Sequence, residues 1–235
     1  MNNLSVIKHA FYINLDSRPD RKQHMESQLT TVGIHAERFK AIKLTNGALG
    51  CSMSHLNILE TAKKNDWPHV LIMEDDIKFL EPDVFIRQFN KFLETNKTFD
   101  VVLLAGNNMP PFTNVDDTCV KVTRCQTTTG YLVQSHYFDT LIHNYRKGIE
   151  KLMKNPKDHV LYALDKFWFH IQGKHNWYLI IPLTVVQRAD YSDIEKRATD
   201  YTKLMTDLNK VEFIKAQKVA HLKAQMSPSM IFGRN

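Results

Sequence analysis

Val70-Leu-Ile-Met-Glu-Asp-Asp76 is the stretch on which the fold turns. Four apolar residues in succession suit a strand covered on both faces, as in a parallel sheet between helices. The three acids after it stand at its carboxyl end, where an open α/β sheet binds its ligands. Upstream, Ala10 to Leu15 reads as a first strand and Asp16 to Asp20 as a turn. Arg21 to Thr31 reads as a helix that Asp20 caps and Gly33 stops. His35 to Ile42 reads as a second strand and Gly47-Ala-Leu-Gly50 as a loop. The spacing of Leu56, Leu59 and Ala62 predicts a helix from Cys51 to Asn65.

Downstream, Pro82 opens a helix whose inner side carries Val84, Phe85, Phe89, Phe92 and Leu93. Val101 to Leu104 and Thr128 to Val133 read as strands, with residues 106–118 as a polar loop. Leu141, Ile142, Tyr145 and Ile149 mark another helix. Trp177 to Ile181 and Thr184 to Val186 read as late strands, and residues 193–225 as helical. The alternation predicts an α/β/α sandwich, Rossmann-like, around a mainly parallel central sheet. Residues 1–197 form the expected domain, and 198–235 a basic helical C-terminal extension.

With 235 residues, 43% hydrophobic, and only eight glycines and eight prolines, the chain can build its own core. That composition excludes collagen-like, low-complexity and wholly disordered chains. No apolar run reaches the roughly 18 residues that span a bilayer. Met1-Asn2-Asn3 opens no signal peptide, so a cytoplasmic protein is expected. Cys51, Cys119 and Cys125 lack CxxC spacing, which disfavours a disulfide framework or a cysteine-rich zinc site. The net charge of +6 is concentrated, because residues 196–235 alone carry +5. This tail reads as a solvated helix face, or as a contact for a membrane surface or a second copy of the chain. It shows no aromatic-interleaved basic stripe, and no nucleic acid is expected as a partner.

Glu74 and Asp76, at i and i+2 of an extended segment, are expected on one side and Asp75 on the other. Two such carboxylates can share a hard divalent cation, Mn²⁺ or Mg²⁺. They read equally as acids of a solvated turn. Arg18 and Arg21, with Asn14, can hold a nucleotide at the neighbouring strand end, or form the surface of a helix start. Gly47-Ala-Leu-Gly50 can offer backbone N–H groups to a diphosphate, although it lacks both established phosphate-loop spacings.

Six blocks, in order, resemble glycosyltransferase family 25. They are Phe11 to Arg21, Gly47 to His55, Val70 to Asp76, Thr129-Gly-Tyr131, Ala163-Leu-Asp-Lys-Phe-Trp168, and Pro182 through Gln187-Arg-Ala-Asp-Tyr-Ser-Asp-Ile194. The resemblance implies a GT-A type fold, a UDP-linked sugar donor, a divalent metal ion, and transfer to a hydroxyl acceptor on a glycan or protein with inversion. It makes Asp76 and Glu74 the metal ligands and brings Asp75 to the ribose or the metal. Asn14, Arg18, Arg21, Ser54, His55, Thr129, Gly130 and Arg188 fall in blocks that face the donor. Asp165 matches the first member of the family's Asp-Glu pair and is the expected base, with Asp193 second. Lys166 stands where the family has Glu, a departure that bears on base strength and on the acceptor. Without the resemblance, Asp165 also reads as a helix cap, His55 as a core histidine, and Arg188 as the partner of an acid. The rival readings are a magnesium-dependent nucleotidyltransferase or phosphohydrolase, and a non-catalytic nucleotide-sugar-binding module.

Overall fold

A computed structural model describes residues 3–225. The elements in chain order are β1 (Ala10–Asn14), α1 (Pro19–Val32), β2 (Glu37–Lys40), α2 (Gly47–Lys64), β3 (His69–Glu74), β4 (Ile77–Phe79) and α3 (Pro82–Glu94). There follow β5 (Val101–Leu103), β6 (Asn107–Asn108), β7 (Phe112–Asn114), β8 (Cys119–Val122), β9 (Cys125–Gln126), β10 (Gly130–Gln134) and α4 (Phe138–Lys154). Three one-turn helices come next: α5 (His159–Tyr162), α6 (Leu164–Phe167) and α7 (Phe169–Gln172). The chain continues through β11 (Trp177–Ile180), β12 (Val185–Gln187), β13 (Asp190–Ser192), β14 (Arg197–Thr199), α8 (Thr202–Thr206) and α9 (Val211–Gln225).

The central sheet has the order β2-β1-β3-β10-β5-β11-β8-β7. Strands β2, β1, β3, β5, β11 and β7 run one way, and β10 and β8 run against them. The expected mainly parallel α/β/α sandwich is present, with β10 inserted antiparallel between β3 and β5. Both faces of β3 are covered, which is why Val70 to Met73 are all apolar. Leu71 and Met73 pack with Met25 and Leu29 of α1 and Phe85 and Phe89 of α3. Val70 and Ile72 pack on the opposite face with Ile58 and Leu59 of α2 and Leu141 and Tyr145 of α4. Trp168 and Trp177 are fully buried in that second cluster, as core residues.

Several local expectations change. Asp20 does not cap α1: Arg18 holds the N-cap position, Pro19 takes the first turn, and Asp20 follows it. Gly33 does end the helix, at φ 69°. Gly47-Ala-Leu-Gly50 is no loop but the first turn of α2, capped by Asn46, whose side chain accepts from Leu49 N–H at 3.2 Å. Its second glycine is there for proximity: a Cβ on Gly50 would lie 2.3 Å from Ile42 O. The polar loop 106–118 contains β6 and β7. Thr184 to Val186 supplies β12, which pairs with β4 outside the central sheet.

Residues 193–225 are not one helix. β13 and β14 form a hairpin, with Asp190 opposite Thr199, and Lys196 turns between them at φ 56°. The chain then packs back on the domain: Met205 of α8 is fully buried, and its Sδ accepts from Gln187 N–H at 3.3 Å. Residues 226–235, including Arg234 of the basic tail, lie outside the described residues. Among the described residues no helix is long and apolar enough to cross a membrane.

This packing distinguishes two truncations. Ending the chain after residue 197 removes Met205 and should cost at least about 2–5 kcal/mol, the cost of emptying one buried methionine site. Ending it after residue 210 should leave the urea midpoint close to that of the full chain.

Candidate active site

The carboxyl ends of β1 and β3, the first turns of α1 and α2, the 126–129 loop, α6 and the β13–β14 hairpin enclose one cleft of about 650 Å³. It is lined by Arg18, Arg21, Cys51, Ser54, Glu74, Asp75, Asp76, Asp165, Lys166, Arg188 and Asp193, among others. The antiparallel insertion of β10 brings residues 127–129 here, because Gly130 pairs with Met73 and Glu74 N–H donates to Thr129 O at 3.0 Å.

The three acids do not divide as expected from alternation. Extended geometry stops at Glu74, and Asp75-Asp76 form a turn, so Asp75 and Asp76 come together instead. Arg21 Nη1 lies 3.0 Å from Asp75 Oδ1 and 3.0 Å from Asp76 Oδ2. Glu74 faces α2 and the 126–129 loop. Its Oε1 accepts from Thr128 Oγ1 at 2.8 Å, and its Oε2 from Gln187 Nε2 at 3.2 Å. Burial works to raise the Glu74 pKa, but hydrogen bonds from His55, Thr128 and Cys51 outweigh it and hold the carboxyl below its ordinary value. Asp76 is pushed up to about 7, first by burial and then by the neighbouring charge of Glu74. Burial also raises Asp75, against the pull of Arg21 and Asn14.

Arg18, Arg21 and Arg188 gather at this corner, but each already faces acids. Arg18 meets Asp20 at 2.9 Å, Asp190 at 2.7 Å and Asp193 at 2.8 Å. Arg21 also reaches Asp190, at 3.2 Å, and Arg188 meets the same carboxylate at 3.1 Å. The hairpin that carries Asp190 and Asp193 is thereby pinned over the start of α1.

Asn14 stands behind the cleft wall, donating to Asp75 Oδ2 at 2.6 Å and accepting from Arg38 Nε at 2.9 Å. Ser54 ties Ile42 N–H (2.9 Å) to Gly50 O (2.8 Å). His55 is buried, with Nδ1 2.8 Å from the Tyr131 hydroxyl and Nε2 3.4 Å from Glu74 Oε1. Thr129 and Gly130 are buried behind the wall; a Cβ on Gly130 would meet Ile77 Cδ1 at 3.0 Å.

Asp165 lies within α6 rather than at its N-cap, which is Ala163. Its Oδ2 accepts from Thr127 N–H at 3.2 Å. Burial raises its pKa, and Lys166 opposes the rise. Lys166 is in turn lowered, first by burial, with Asp165 opposing. Asp193 sits at the rim, 42% exposed and bonded to Arg18.

Thr127, Thr128 and Asp190 have structural parts here that sequence reasoning missed. Thr127 adopts φ 80°, a strained value for a β-branched residue. Thr128 to Val133 reads as a strand, and nothing in the run Gln126-Thr-Thr-Thr-Gly130 marks Thr127 as a turn residue. The residues present fit a hard cation. Asp76 Oδ1 is buried with no hydrogen-bond partner, and the neighbouring Asp75 carboxylate shares Arg21 Nη1 with Asp76. A second set of ligating atoms, on Cys51, His55 and Glu74, lies within 4.8 Å of one another on the α2 side.

Arg21 is 12% exposed and Asp75 10%, so Arg21→Met leaves buried carboxylates without their cation. The expected loss is about 3–5 kcal/mol in urea unfolding. Lys22→Met, which breaks an exposed i,i+4 pair with Glu26, should cost less than about 1 kcal/mol.

The sequence pattern of Glycosyltransferase family 25 (LPS biosynthesis protein) matches residues 42–167. The chain is similar to proteins named Glycosyltransferase 25 family member from Drosophila pseudoobscura pseudoobscura (30% identical over 102 residues) and Drosophila melanogaster (32% over 101). These alignments cover 32% and 31% of this chain and 16% of each relative. It is also 23% identical over 191 residues to Inactive glycosyltransferase 25 family member 3 of Mus musculus, covering 67% of this chain and 31% of that one. The chain thus spans less than a third of the length of these relatives. Two solved structures align at 9% identity over 73% of the chain. One is a glycosyltransferase involved in glycosylation of the major capsid of PBCV-1 (TM-score 0.45, 81% of that chain). The other is mannose-1-phosphate geranyltransferase from Thermus thermophilus (TM-score 0.42, 73% of that chain). The family pattern takes in more than half of the sequence, from the exit of β2 through the acidic turn to α6, and the chain belongs to glycosyltransferase family 25.

Proposed function

We propose that this chain is a metal-dependent, inverting glycosyltransferase that moves a hexose, galactose or glucose, from a UDP-sugar to a hydroxyl of a glycan or protein. The observation that carries this reading is Asp76 Oδ1, a buried carboxylate oxygen without a partner, in the acidic turn where Asp75 and Asp76 come together and which lines the cleft with Glu74. Asp76, with Asp75 or Glu74, would hold Mn²⁺ or Mg²⁺. Bound there, such an ion stabilises the negative charge that builds on a diphosphate leaving group. Arg18 and Arg188 line the same corner, suited to phosphate oxygens once these compete with Asp190 and Asp193.

Asp165 is the base in this reading. Its carboxylate lines the cleft, held in place by Thr127 N–H, and burial brings its pKa towards the range useful for accepting a hydroxyl proton. Asp193, exposed and paired with Arg18, is the second candidate and the weaker one. The alternative is a binding module without turnover. Lys166 beside Asp165 favours it, since a neighbouring cation weakens a carboxylate base, and so does the likeness to a mouse relative named inactive.

Asp76→Asn should abolish Mn²⁺-dependent binding of UDP, measured by calorimetry; unchanged binding would remove the metal assignment. Asp165→Asn should keep UDP binding and lower transfer by about 10²–10⁴-fold, the usual worth of a positioned base. If the unaltered protein neither hydrolyses nor transfers from any UDP-hexose, yet binds UDP with Mn²⁺, the binding-module reading stands.

A further inference from the structure

Cys51 and His55 lie one turn apart on α2 and both reach Glu74 at the end of β3. Cys51 Sγ is 3.5 Å and His55 Nε2 3.4 Å from the same oxygen, Glu74 Oε1. Without a metal the nitrogen contact is a long hydrogen bond, and the same oxygen also accepts a shorter one from Thr128 Oγ1 at 2.8 Å. Both distances fit a tetrahedral zinc site, in which bonds of roughly 2.0–2.3 Å place ligand atoms about 3.3–3.7 Å apart.

Two further features point the same way. The outer ring nitrogen of His55 is held by the Tyr131 hydroxyl at 2.8 Å, and Tyr131 by Tyr145 at 3.0 Å. A metal-bound histidine has its second nitrogen fixed in this manner. Asp76 and Asp165 add negative charge around Cys51, so a cation is favoured there electrostatically.

We infer that Cys51, His55 and Glu74 form a binding site for a borderline-soft divalent cation of the zinc type. Cys51 and Glu74 line the cleft, which leaves a fourth position for water or a ligand. The thiolate and imidazole separate this site from the all-oxygen corner at Asp76, which suits Mn²⁺. Loading releases the Cys51 thiol proton to solvent, and the thiolate and the Glu74 carboxylate together balance the two charges of the ion.

The test is a titration of the metal-stripped full chain with Co²⁺, read by its thiolate-to-cobalt charge-transfer absorption in the near ultraviolet. One equivalent should develop the band, and Zn²⁺ should erase it. Cys51→Ser should lose the band, whereas Cys119→Ser and Asp76→Asn should retain it, the latter separating this site from the oxygen corner. Tyr131→Phe should weaken Co²⁺ affinity by about 10-fold or more. A second measurement needs no variant: Zn²⁺ should block alkylation of Cys51 in the unaltered protein. Absence of the band, its survival in folded Cys51→Ser, or alkylation unaffected by Zn²⁺ overturns the site and leaves the trio as a hydrogen-bonded support for Glu74.

Discussion

The cleft depends on Arg21. Burying two adjacent carboxylates without a cation is costly, and Asp75 and Asp76 are 10% and 14% exposed. Arg21 bonds both, and its own burial is outweighed by their attraction, which keeps its pKa above the ordinary value. It reaches Asp190 as well, so one guanidinium links the acidic turn to the hairpin that closes the cleft. Even so, its donors do not satisfy every oxygen, and Asp76 Oδ1 is left without a partner. The corner is therefore stable enough to fold, yet open to a further positive charge.

The sheet sets the other coordinates. β3 lies between β1 and β10, with α1 and α3 on one face and α2 and α4 on the other. That arrangement places Asn14 beside Asp75 and His55 behind Glu74. The antiparallel entry of β10 carries Thr127 to Thr129 alongside the end of β3. Thr128 then holds Glu74, and Thr127, in a conformation that costs on the order of 1–3 kcal/mol, presents its N–H to Asp165. Two carboxylates from distant parts of the chain are thus oriented by one short loop.

Much of this was legible beforehand, for definite reasons. An unbroken apolar run ending in acids marks a covered strand, and β3 is covered on both faces with its acids lining the cleft. Of the three arginines singled out, Arg21 does bond the acidic turn, whereas the side chains of Arg18 and Arg188 meet Asp190 and Asp20 instead. Other features were hidden because they depend on neighbours. Alternation failed at Asp75 because the strand ends one residue earlier. Gly47 and Gly50 read as a loop because glycine usually breaks a helix, whereas Gly50 is small so that Ile42 can approach α2. The hairpin within 190–199 was masked by residues that are equally at home in a helix.

By itself the sequence determined which segments are covered on both faces, where the acids and arginines stand along the chain, and the α/β class, since these follow from local pattern and hydrophobic period. Only the tertiary structure decided which carboxylate meets which cation, that β10 enters antiparallel, and that Cys51, His55 and Glu74 converge on one point. Those pairings join residues far apart in the chain, and no local periodicity encodes the distance between two side chains that meet only after the sheet has formed.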